Sequence, residues 1–316
     1  MEEMKAYICT KYGQPEVLHL ESCKKPVIKP DEVLIKVFST SVTNSDIFIR
    51  SSKVGKQVLI PFRIMIGIVK PRKKIIGQVY AGVIEQTGKD IKKLKPGDKV
   101  YGLTGFSLGA YAEYMKLKEE DSKQGCISIM PENVSFEEAT AAAYGGLLSL
   151  QCIEKKTVKY GDTVLIYGAS GTSGVFALQY LKHAGADITA VCSKEKSDFV
   201  KSLGADKVLD YRDDDSINKL EMYDMILDCV GKAKQSPLRK ACLKHLNTKD
   251  GFMSIDDEPL LLSSARLQRI SALVQKNIVK AINDRVYRFD QMVEAHKYVE
   301  LGHKKGNVAV TVNSPT

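Results

Sequence analysis

Three glycines spaced three residues apart are the first group in this sequence whose types and spacing could do chemistry. Residues 164–174 read VLIYGASGTSG, an apolar run that opens into Gly168, Gly171 and Gly174. A strand-to-helix turn of small residues lets the backbone approach a diphosphate and points helix N-terminal amides at its charge. The usual dinucleotide fingerprint is Gly-x-Gly-x-x-Gly, and this pattern departs from it. An ordinary tight turn is the alternative interpretation.

The residues around the turn favour cofactor binding over that alternative. The turn follows a buried strand, opens a helix, and is succeeded by a second strand that ends at Cys192. An NAD-binding protein places Asp or Glu at that strand end to hold the ribose hydroxyls. Here Ser193 is followed by Lys194, Glu195 and Lys196. A hydroxyl flanked by lysines would accept a 2′-phosphate, which favours NADPH; alternatively, these lysines only solvate a helix start.

The elements that position this turn form an alternating pattern from Asp162 onward. Near-continuous apolar runs predict strands at VLIYG, ITAVC, KVLDY and YDMILDCVG, and the segments VFALQYLKHAG and KEKSDFVKSLG predict helices. Such alternation is typical of a parallel sheet covered on both faces. Gly185 and Gly204 fall where a helix C-terminus favours a left-handed residue.

The first third of the chain has a different pattern. Apolar and polar residues alternate in KAYICTKYG, VLHLESC, DEVLIKVFST, IIGQVYAGVIEQTG, KVYGLTG and GAYAEYMKL, which predicts antiparallel strands. At Ser135 an alanine-rich helix begins, because Glu138 three residues later completes a capping-box pattern. The end of the chain, from Arg288, reads as an amphipathic helix and a strand that returns to the first module.

Composition limits the class of protein. With 316 residues, 44% of them hydrophobic, the chain is expected to form two domains. Its seven scattered cysteines include no Cys-x-x-Cys pair, as in a protein with reduced cytosolic thiols. No apolar run reaches the ~20 residues of a membrane span, and the N-terminus lacks a signal-peptide pattern. We therefore expect a soluble cytoplasmic protein with no membrane partner.

Positive charge is the feature that could indicate a polyanionic partner. The formal net charge is +9, and basic residues are dense between Lys70 and Lys99. Glycine and proline interrupt this stretch, and it lacks aromatic residues that would stack on bases. We interpret it as solvated loops and expect no nucleic-acid partner.

Several motifs together resemble the zinc-independent quinone oxidoreductase, or zeta-crystallin-like, branch of the medium-chain dehydrogenase/reductase superfamily. They are YGASGTSG, SLGADKVLDY, KPGDKVYG, GAYAEY and GHKKGNVAV, and the likeness spans nearly the whole chain. The resemblance implies an α/β protein with a GroES-like, mostly β catalytic domain and a Rossmann domain, a doubly wound parallel sheet. The catalytic domain would comprise residues 1–134, completed by 284–316, and the NADP-binding domain residues 135–283.

The resemblance also implies which residues bind NADP(H) in a cleft. It assigns Ser193, Lys196 and Tyr211 to the 2′-phosphate and Val230 and Gly231 to positions beside the cofactor. It places His303, Lys304 and Lys305 near the closing edge of the cleft. The diphosphate would lie on Gly168, Ala169, Ser170, Gly171, Thr172, Ser173 and Gly174, although Thr172-Ser173 stands where Gly-Val is usual.

The chemistry of this branch needs no metal, and the sequence lacks the zinc ligands of its zinc-dependent relatives. Asn44 and Asp46 stand near the first ligand position, and IIGQVYAGV occupies the second without His or Glu. The resemblance maps Asn44 onto an active-cleft asparagine, whose amide could donate to a substrate oxygen or orient the nicotinamide. A turn asparagine bonded to its own backbone is the alternative. Asp46 and Arg50 match a family spacing, and a local ion pair would explain them equally.

Without metal, hydride must pass to an acceptor that is already electron-poor, such as a quinone or an α,β-unsaturated carbonyl. We therefore expect an NADPH-dependent oxidoreductase acting on a small electrophilic substrate. The alternative is an NADPH-binding protein without turnover, crystallin-like or RNA-binding. The segment after Ile255 is shorter than usual in the family, so we expect the Rossmann sheet to lack its sixth strand. Because that edge often pairs subunits, we expect a monomer or an atypical homodimer.

Overall fold

The computed structural model describes residues 2–231 and 236–314, in two compact units. Unit 1 comprises Met1–Ala143, Leu262–Ala272 and Asn283–Thr316, and unit 2 comprises Tyr144–Leu261 and Leu273–Ile282. The strands are β1 (Glu3–Cys9), β2 (Leu18–Lys24), β3 (Glu32–Ser41), β4 (Val79–Thr87), β5 (Lys99–Leu103), β6 (Tyr114–Lys118), β7 (Cys126–Ile129), β8 (Thr163–Tyr167), β9 (Asp187–Cys192), β10 (Lys207–Asp210), β11 (Met225–Asp228), β12 (Phe252–Ser254), β13 (Asn283–Arg288) and β14 (Asn307–Thr311). The helices are α1 (Asn44–Ser51), α2 (Lys56–Ile66), α3 (Phe136–Ile153), α4 (Thr172–His183), α5 (Ser197–Ser202), α6 (Pro237–Cys242), α7 (Ser264–Gln275) and α8 (Met292–Glu300).

Unit 1 is mostly β structure. Its main sheet has the strand order β13-β14-β3-β4-β5-β7, with β6 also paired to β3, and β1 and β2 form a separate antiparallel pair. Strand β3 is buried along nearly its whole length because it pairs with β14, β4 and β6. The pairing of β14 with β3 places Val310 opposite Thr40. The predicted return of the chain end to the first module is thereby confirmed.

Unit 2 is built on a parallel sheet with the strand order β10-β9-β8-β11-β12. The predicted strands at β8, β9, β10 and β11 and the predicted helices at α4 and α5 are confirmed. The order runs from β8 outward to β10 and then resumes at β11 on the other side of β8. The carboxyl ends of β8 and β11 therefore mark the switch point where such sheets bind ligands. Five strands pair in the described part of unit 2, in keeping with the short segment after Ile255.

The ends of the helices follow the local signals in the sequence. The Ser135 N–H donates to Glu138 Oε2 at 2.8 Å and the Glu138 N–H donates to Ser135 Oγ at 3.2 Å, which confirms the capping box before α3. Gly185 and Gly204 have φ of +88° and +109°, as predicted for helix ends. Among the residues described, no helix has the length and apolar character of a membrane-spanning segment.

Candidate cofactor site

The glycine turn lies at the carboxyl end of β8 and is tied to the neighbouring strand β9. The N–H groups of Gly168 and Ala169 both donate to the Val191 carbonyl, at 2.9 and 3.1 Å, and the Gly171 N–H donates to the Gly168 carbonyl at 3.0 Å. Gly168 has φ of +81°, and a Cβ there would lie 2.5 Å from Val230 Cγ2. The turn therefore needs glycine at its first position for both conformation and space.

Gly174 and Gly171 are glycines for different reasons. A Cβ on Gly174 would lie 2.3 Å from the Gly168 carbonyl oxygen and 2.7 Å from Ala169 Cα, so α4 packs directly against the turn. Gly171 precedes α4 with φ of −81°, and its nearest neighbour to a built Cβ is the Gly168 oxygen at 3.4 Å, an ordinary contact. The packing of the chain does not require glycine at Gly171, and the absent side chain leaves the backbone at this helix end open to a ligand.

Helix α3 supports the first turn of α4 inside unit 2. A Cβ on Gly145 would lie 2.6 Å from the Thr172 carbonyl oxygen, and Ser149 Oγ donates to the Ser173 carbonyl at 2.8 Å. The first amides of a helix have no partner within the helix and carry its positive dipole end. With Ser170 and Ser173 buried and Gly171 and Thr172 partly exposed, this end of α4 is suited to an anion.

The carboxyl ends of β9 and β10 bring Ser193 and Tyr211 to the same edge of the sheet, as the pairing of Cys192 with Asp210 requires. Ser193 and Lys196 are half-buried and Tyr211 is exposed. The Tyr211 N–H donates to the Cys192 carbonyl at 3.4 Å. The residues predicted for the 2′-phosphate thus follow two neighbouring strands.

Arg212 is a residue at this edge that the sequence analysis missed. Its Nη2 donates to Glu195 Oε2 at 2.6 Å and its Nε to Asp210 Oδ1 at 3.4 Å. The hydrogen bond from Arg212 lowers the pKa of Glu195 to about 2, so this carboxylate is ionised and paired. The guanidinium therefore offsets the acidic residues beside Ser193. Its position directly after Tyr211 was the available sequence signal.

The loop after β11 is held by a buried carboxylate that the sequence analysis also missed. Asp228 Oδ1 accepts from the N–H groups of Val230 at 3.0 Å and Gly231 at 3.2 Å, and its Oδ2 accepts from Arg239 Nε at 3.0 Å. Gly231 has φ of +92°. Because Val230 contacts the Gly168 position, this loop and the glycine turn meet at the switch point.

Asn44, in unit 1, is the exposed first residue of α1. The capping bonds at this helix start belong to its neighbour: the Thr43 N–H donates to Asp46 Oδ2 at 2.9 Å and the Asp46 N–H donates to Thr43 Oγ1 at 3.3 Å. These bonds involve Thr43 and Asp46, and the role of Asn44 stays a prediction. The alternative interpretation of Asp46 and Arg50 as a local ion pair is wrong, because the Arg50 guanidinium pairs with Glu300 instead.

His303, Lys304 and Lys305 lie in the loop between α8 and β14, also in unit 1. Lys304 Nζ donates to the Gly306 carbonyl at 2.7 Å and the Lys305 N–H donates to Asp284 Oδ2 at 3.0 Å, while His303 is exposed. Across residues 2–231 and 236–314, no three His, Cys, Asp or Glu side chains are grouped as metal ligands.

Comparison with known proteins matches both halves of the chain. The family described as "Alcohol dehydrogenase GroES-like domain" matches residues 29–129, and the family described as "Zinc-binding dehydrogenase" matches residues 203–310. The chain is 28% identical to the mouse protein "NAD(P)H oxidoreductase RTN4IP1, mitochondrial", over 98% of this chain and 89% of that one. It is 29% identical to "2-methylene-furan-3-one reductase" from Solanum lycopersicum, over 98% and 79%. The solved quinone oxidoreductase from Coxiella burnetii is similar with a TM-score of 0.83 and 25% identity, over 99% of this chain and 100% of that one.

Proposed function

Because the chain belongs to the medium-chain dehydrogenase/reductase superfamily, we propose that it is an NADPH-dependent reductase of quinones or α,β-unsaturated carbonyls. The observation that carries the proposal is the turn at the end of β8, where three glycines bring the backbone and the first amides of α4 together at the switch point of the parallel sheet. The relatives support the substrate class, since one is named a quinone oxidoreductase and another a reductase of a methylene-furanone, a conjugated ketone.

The diphosphate binds, in this proposal, at residues 168–174 against the first turn of α4. Amides that have no partner within the helix donate to the phosphate oxygens, and the helix dipole favours their negative charge. Val230 and Gly231 lie beside the cofactor, at the end of β11. The bent conformation of Gly168 and the close packing of Gly174 fix the turn before the ligand arrives, so little ordering cost remains for binding.

The 2′-phosphate is selected at the ends of β9 and β10. Ser193, Lys196 and Tyr211 bind it, and Arg212 keeps Glu195 paired, so that carboxylate is not left as a free charge opposite the phosphate. Lysine and arginine donors to phosphate make charge-assisted hydrogen bonds. This assignment favours NADPH over NADH.

When bound, NADPH supplies the hydride for reduction of the substrate's electron-poor carbon. The amide of Asn44 donates a hydrogen bond to the substrate oxygen, which stabilises the negative charge that develops there. His303, Lys304 and Lys305, in the C-terminal segment, are also assigned to NADP(H) binding in this proposal. Residues 1–134 with 284–316 form the catalytic domain and residues 135–283 the NADP-binding domain.

Two further parts of the proposal concern metal and location. The reaction proceeds without zinc, because Asn44 and Asp46 replace the ligands used by zinc-dependent relatives. The protein acts in the cytoplasm as a monomer or an atypical homodimer. Fractionation of cells that finds it inside mitochondria, as the name of the mouse relative would suggest, would overturn the assigned location.

Exchanging Lys196 for glutamate tests the cofactor assignment. One charge-assisted contact to phosphate contributes on the order of 1.5–3 kcal/mol, so Lys196→Glu should weaken NADPH binding by roughly ten- to a hundredfold. NADH affinity should change little, because NADH has no 2′-phosphate. Lys201→Glu, the same charge change at an exposed position of α5, is the matched control.

Fluorescence titration of both cofactors against wild type and the two variants gives the result. Equal affinity of the wild type for NADPH and NADH, or equal losses for both in Lys196→Glu, would contradict the assignment. A loss in Lys201→Glu as large as in Lys196→Glu would show that the effect is only one of overall charge.

A further inference from the structure

Helix α2 in unit 1 exposes a row of large aliphatic side chains. Ile60, Ile64 and Met65 face solvent along the helix, and Ile68 and Val69 continue the row in the turn that follows, with 64% and 82% of their surfaces exposed. We call these five residues, together with the basic side chains of residues 70–74, the α2 surface. Large contiguous apolar patches are uncommon on the surfaces of soluble monomers and often mark interaction sites.

The opposite side of α2 is packed against unit 1. Phe62 packs against the buried cluster that includes Tyr7 and Val42, and Ile66 is buried. Between Ile60 and Ile66 the helix therefore carries apolar side chains on two sides, and among the described residues only one of these sides is covered. A helix that is apolar all round is ordinarily buried. An exposed helix side of this apolar composition is therefore unusual.

The turn that presents Ile68 and Val69 is held by specific bonds. The Tyr12 hydroxyl donates to the Gly67 carbonyl at 2.5 Å, and the Arg72 N–H donates to the Ile66 carbonyl at 2.8 Å, closing the loop. The Arg63 guanidinium lies 5.0 Å from the centre of the Tyr12 ring. Ile68 and Val69 therefore lie in a turn that hydrogen bonds hold in a defined conformation.

The charge of the chain segment that forms this surface is of one sign. Residues 53–74 contain seven Lys or Arg and no Asp or Glu, and no acidic residue occurs anywhere from 47 to 84. Lys70, Arg72, Lys73 and Lys74 are exposed, and among the described residues no carboxylate lies within ion-pair distance of them. Four exposed basic residues, Lys70, Arg72, Lys73 and Lys74, thus follow Ile68 and Val69 directly in the chain.

We propose that the α2 surface binds an anionic lipid bilayer. Aliphatic side chains bounded by lysine and arginine match the two parts of such a surface: the side chains enter the boundary of the acyl chains, and the cations contact anionic headgroups. The exposed residues are aliphatic, whereas single-stranded nucleic acid is bound on aromatic side chains. The attachment in this proposal is peripheral, and it differs from the sequence-based expectation of no membrane partner, which the test below also decides.

Co-sedimentation of the full chain with vesicles tests the proposal. The wild type should pellet with vesicles of phosphatidylcholine and phosphatidylserine and much less with phosphatidylcholine alone. High salt should release it, because salt screens exposed charges. Each basic residue near an anionic bilayer contributes roughly fivefold to partitioning, so the triple variant Lys70→Glu/Arg72→Glu/Lys73→Glu should lose about a hundredfold or more.

Two control comparisons separate this surface from general basicity and from misfolding. The triple variant Lys89→Glu/Lys92→Glu/Lys95→Glu makes the same charge change at exposed positions of another basic stretch and should keep its vesicle binding. The uncharged pair Ile68→Ser/Val69→Ser should also lose binding, whereas Val27→Ser, at another exposed valine, should not. Circular dichroism checks that each variant is folded.

Several results would overturn the proposal. They are failure of the wild type to bind phosphatidylserine vesicles, equal losses in the two charge triples, and unchanged binding in the Ile68/Val69 pair. Retention of the wild type by RNA but not by vesicles, or self-association through the α2 surface in their place, would equally refute it. Cofactor affinity is not part of this test, so its outcome does not depend on the reductase assignment.

Discussion

Replacing Gly171 by alanine should weaken NADPH binding while leaving the fold intact. The new Cβ would make only an ordinary 3.4 Å contact with the Gly168 oxygen, and the φ of −81° suits alanine. Alanine is a poorer helix N-cap than glycine, which destabilises the fold, whereas it lowers the entropy of the unfolded chain, which stabilises the fold. Because these effects oppose each other, the free energy of unfolding should change by less than about 1 kcal/mol.

We expect NADPH affinity to fall by more than the free energy of unfolding, because in the proposed complex the added methyl group would lie where the diphosphate approaches the amides of α4. Loss of one charge-assisted hydrogen bond costs about 1.5–3 kcal/mol, or roughly ten- to a hundredfold in affinity. Gly55→Ala is the matched control, since Gly55 also precedes a helix without a capping side chain, has φ of −55° and has no atom within 4 Å of a built Cβ. Calorimetric titration with NADPH and urea unfolding measure both quantities. Unchanged NADPH affinity in Gly171→Ala would refute the assignment of the turn.

Three further predictions concern stability and metal content. Burial lowers the pKa of His296 to about 3, so only the unfolded chain takes up this proton as pH falls from 6.5, and the His296 contribution to stability declines on acidification. Burial raises the pKa of Asp46 to about 6, so the contribution of Asp46 to stability increases on acidification between about pH 6 and 4, opposite to that of His296. In urea unfolding at several pH values, the difference in stability between His296→Gln and wild type should therefore shift in favour of the variant as the pH falls. Parallel stability profiles of the two proteins would contradict this. Arg239→Met leaves the buried Asp228 unpaired and should lower the free energy of unfolding by about 3–5 kcal/mol, whereas a loss below about 1 kcal/mol would show that the pair is dispensable. Elemental analysis of the purified protein should find no stoichiometric zinc, and about one tightly held zinc per chain would refute the zinc-independent mechanism.

The sequence predicted those parts of the fold that depend on local pattern. Strands β8 and β11 are continuous apolar runs, and such runs belong to a sheet buried on both faces. The start of α3 followed from Ser135 and Glu138, whose side chains and backbones are only three residues apart. The glycine spacing located the turn because conformation and packing at Gly168 and Gly174 leave no alternative residue.

The features that sequence analysis missed depend on contacts between distant residues. Arg212 reaches Glu195 only because β10 lies beside β9 in the sheet. Arg50 pairs with Glu300, 250 positions later in the chain, whereas its spacing from Asp46 suggested a local partner. Helix α2 was not predicted, and its exposed aliphatic side has no signature in the sequence, because apolar residues on a helix are ordinarily buried.

Oxidation of NADPH by the purified protein, followed by absorbance across a panel of quinones and α,β-unsaturated carbonyls, tests the central claim most directly. We predict turnover with at least one acceptor of at least one of these two classes. NADPH should be preferred over NADH, and the amount of substrate reduced should equal the amount of NADPH consumed. No oxidation of NADPH with any acceptor, together with salt-dependent binding of RNA, would contradict the claim and favour a nucleotide-binding protein without turnover.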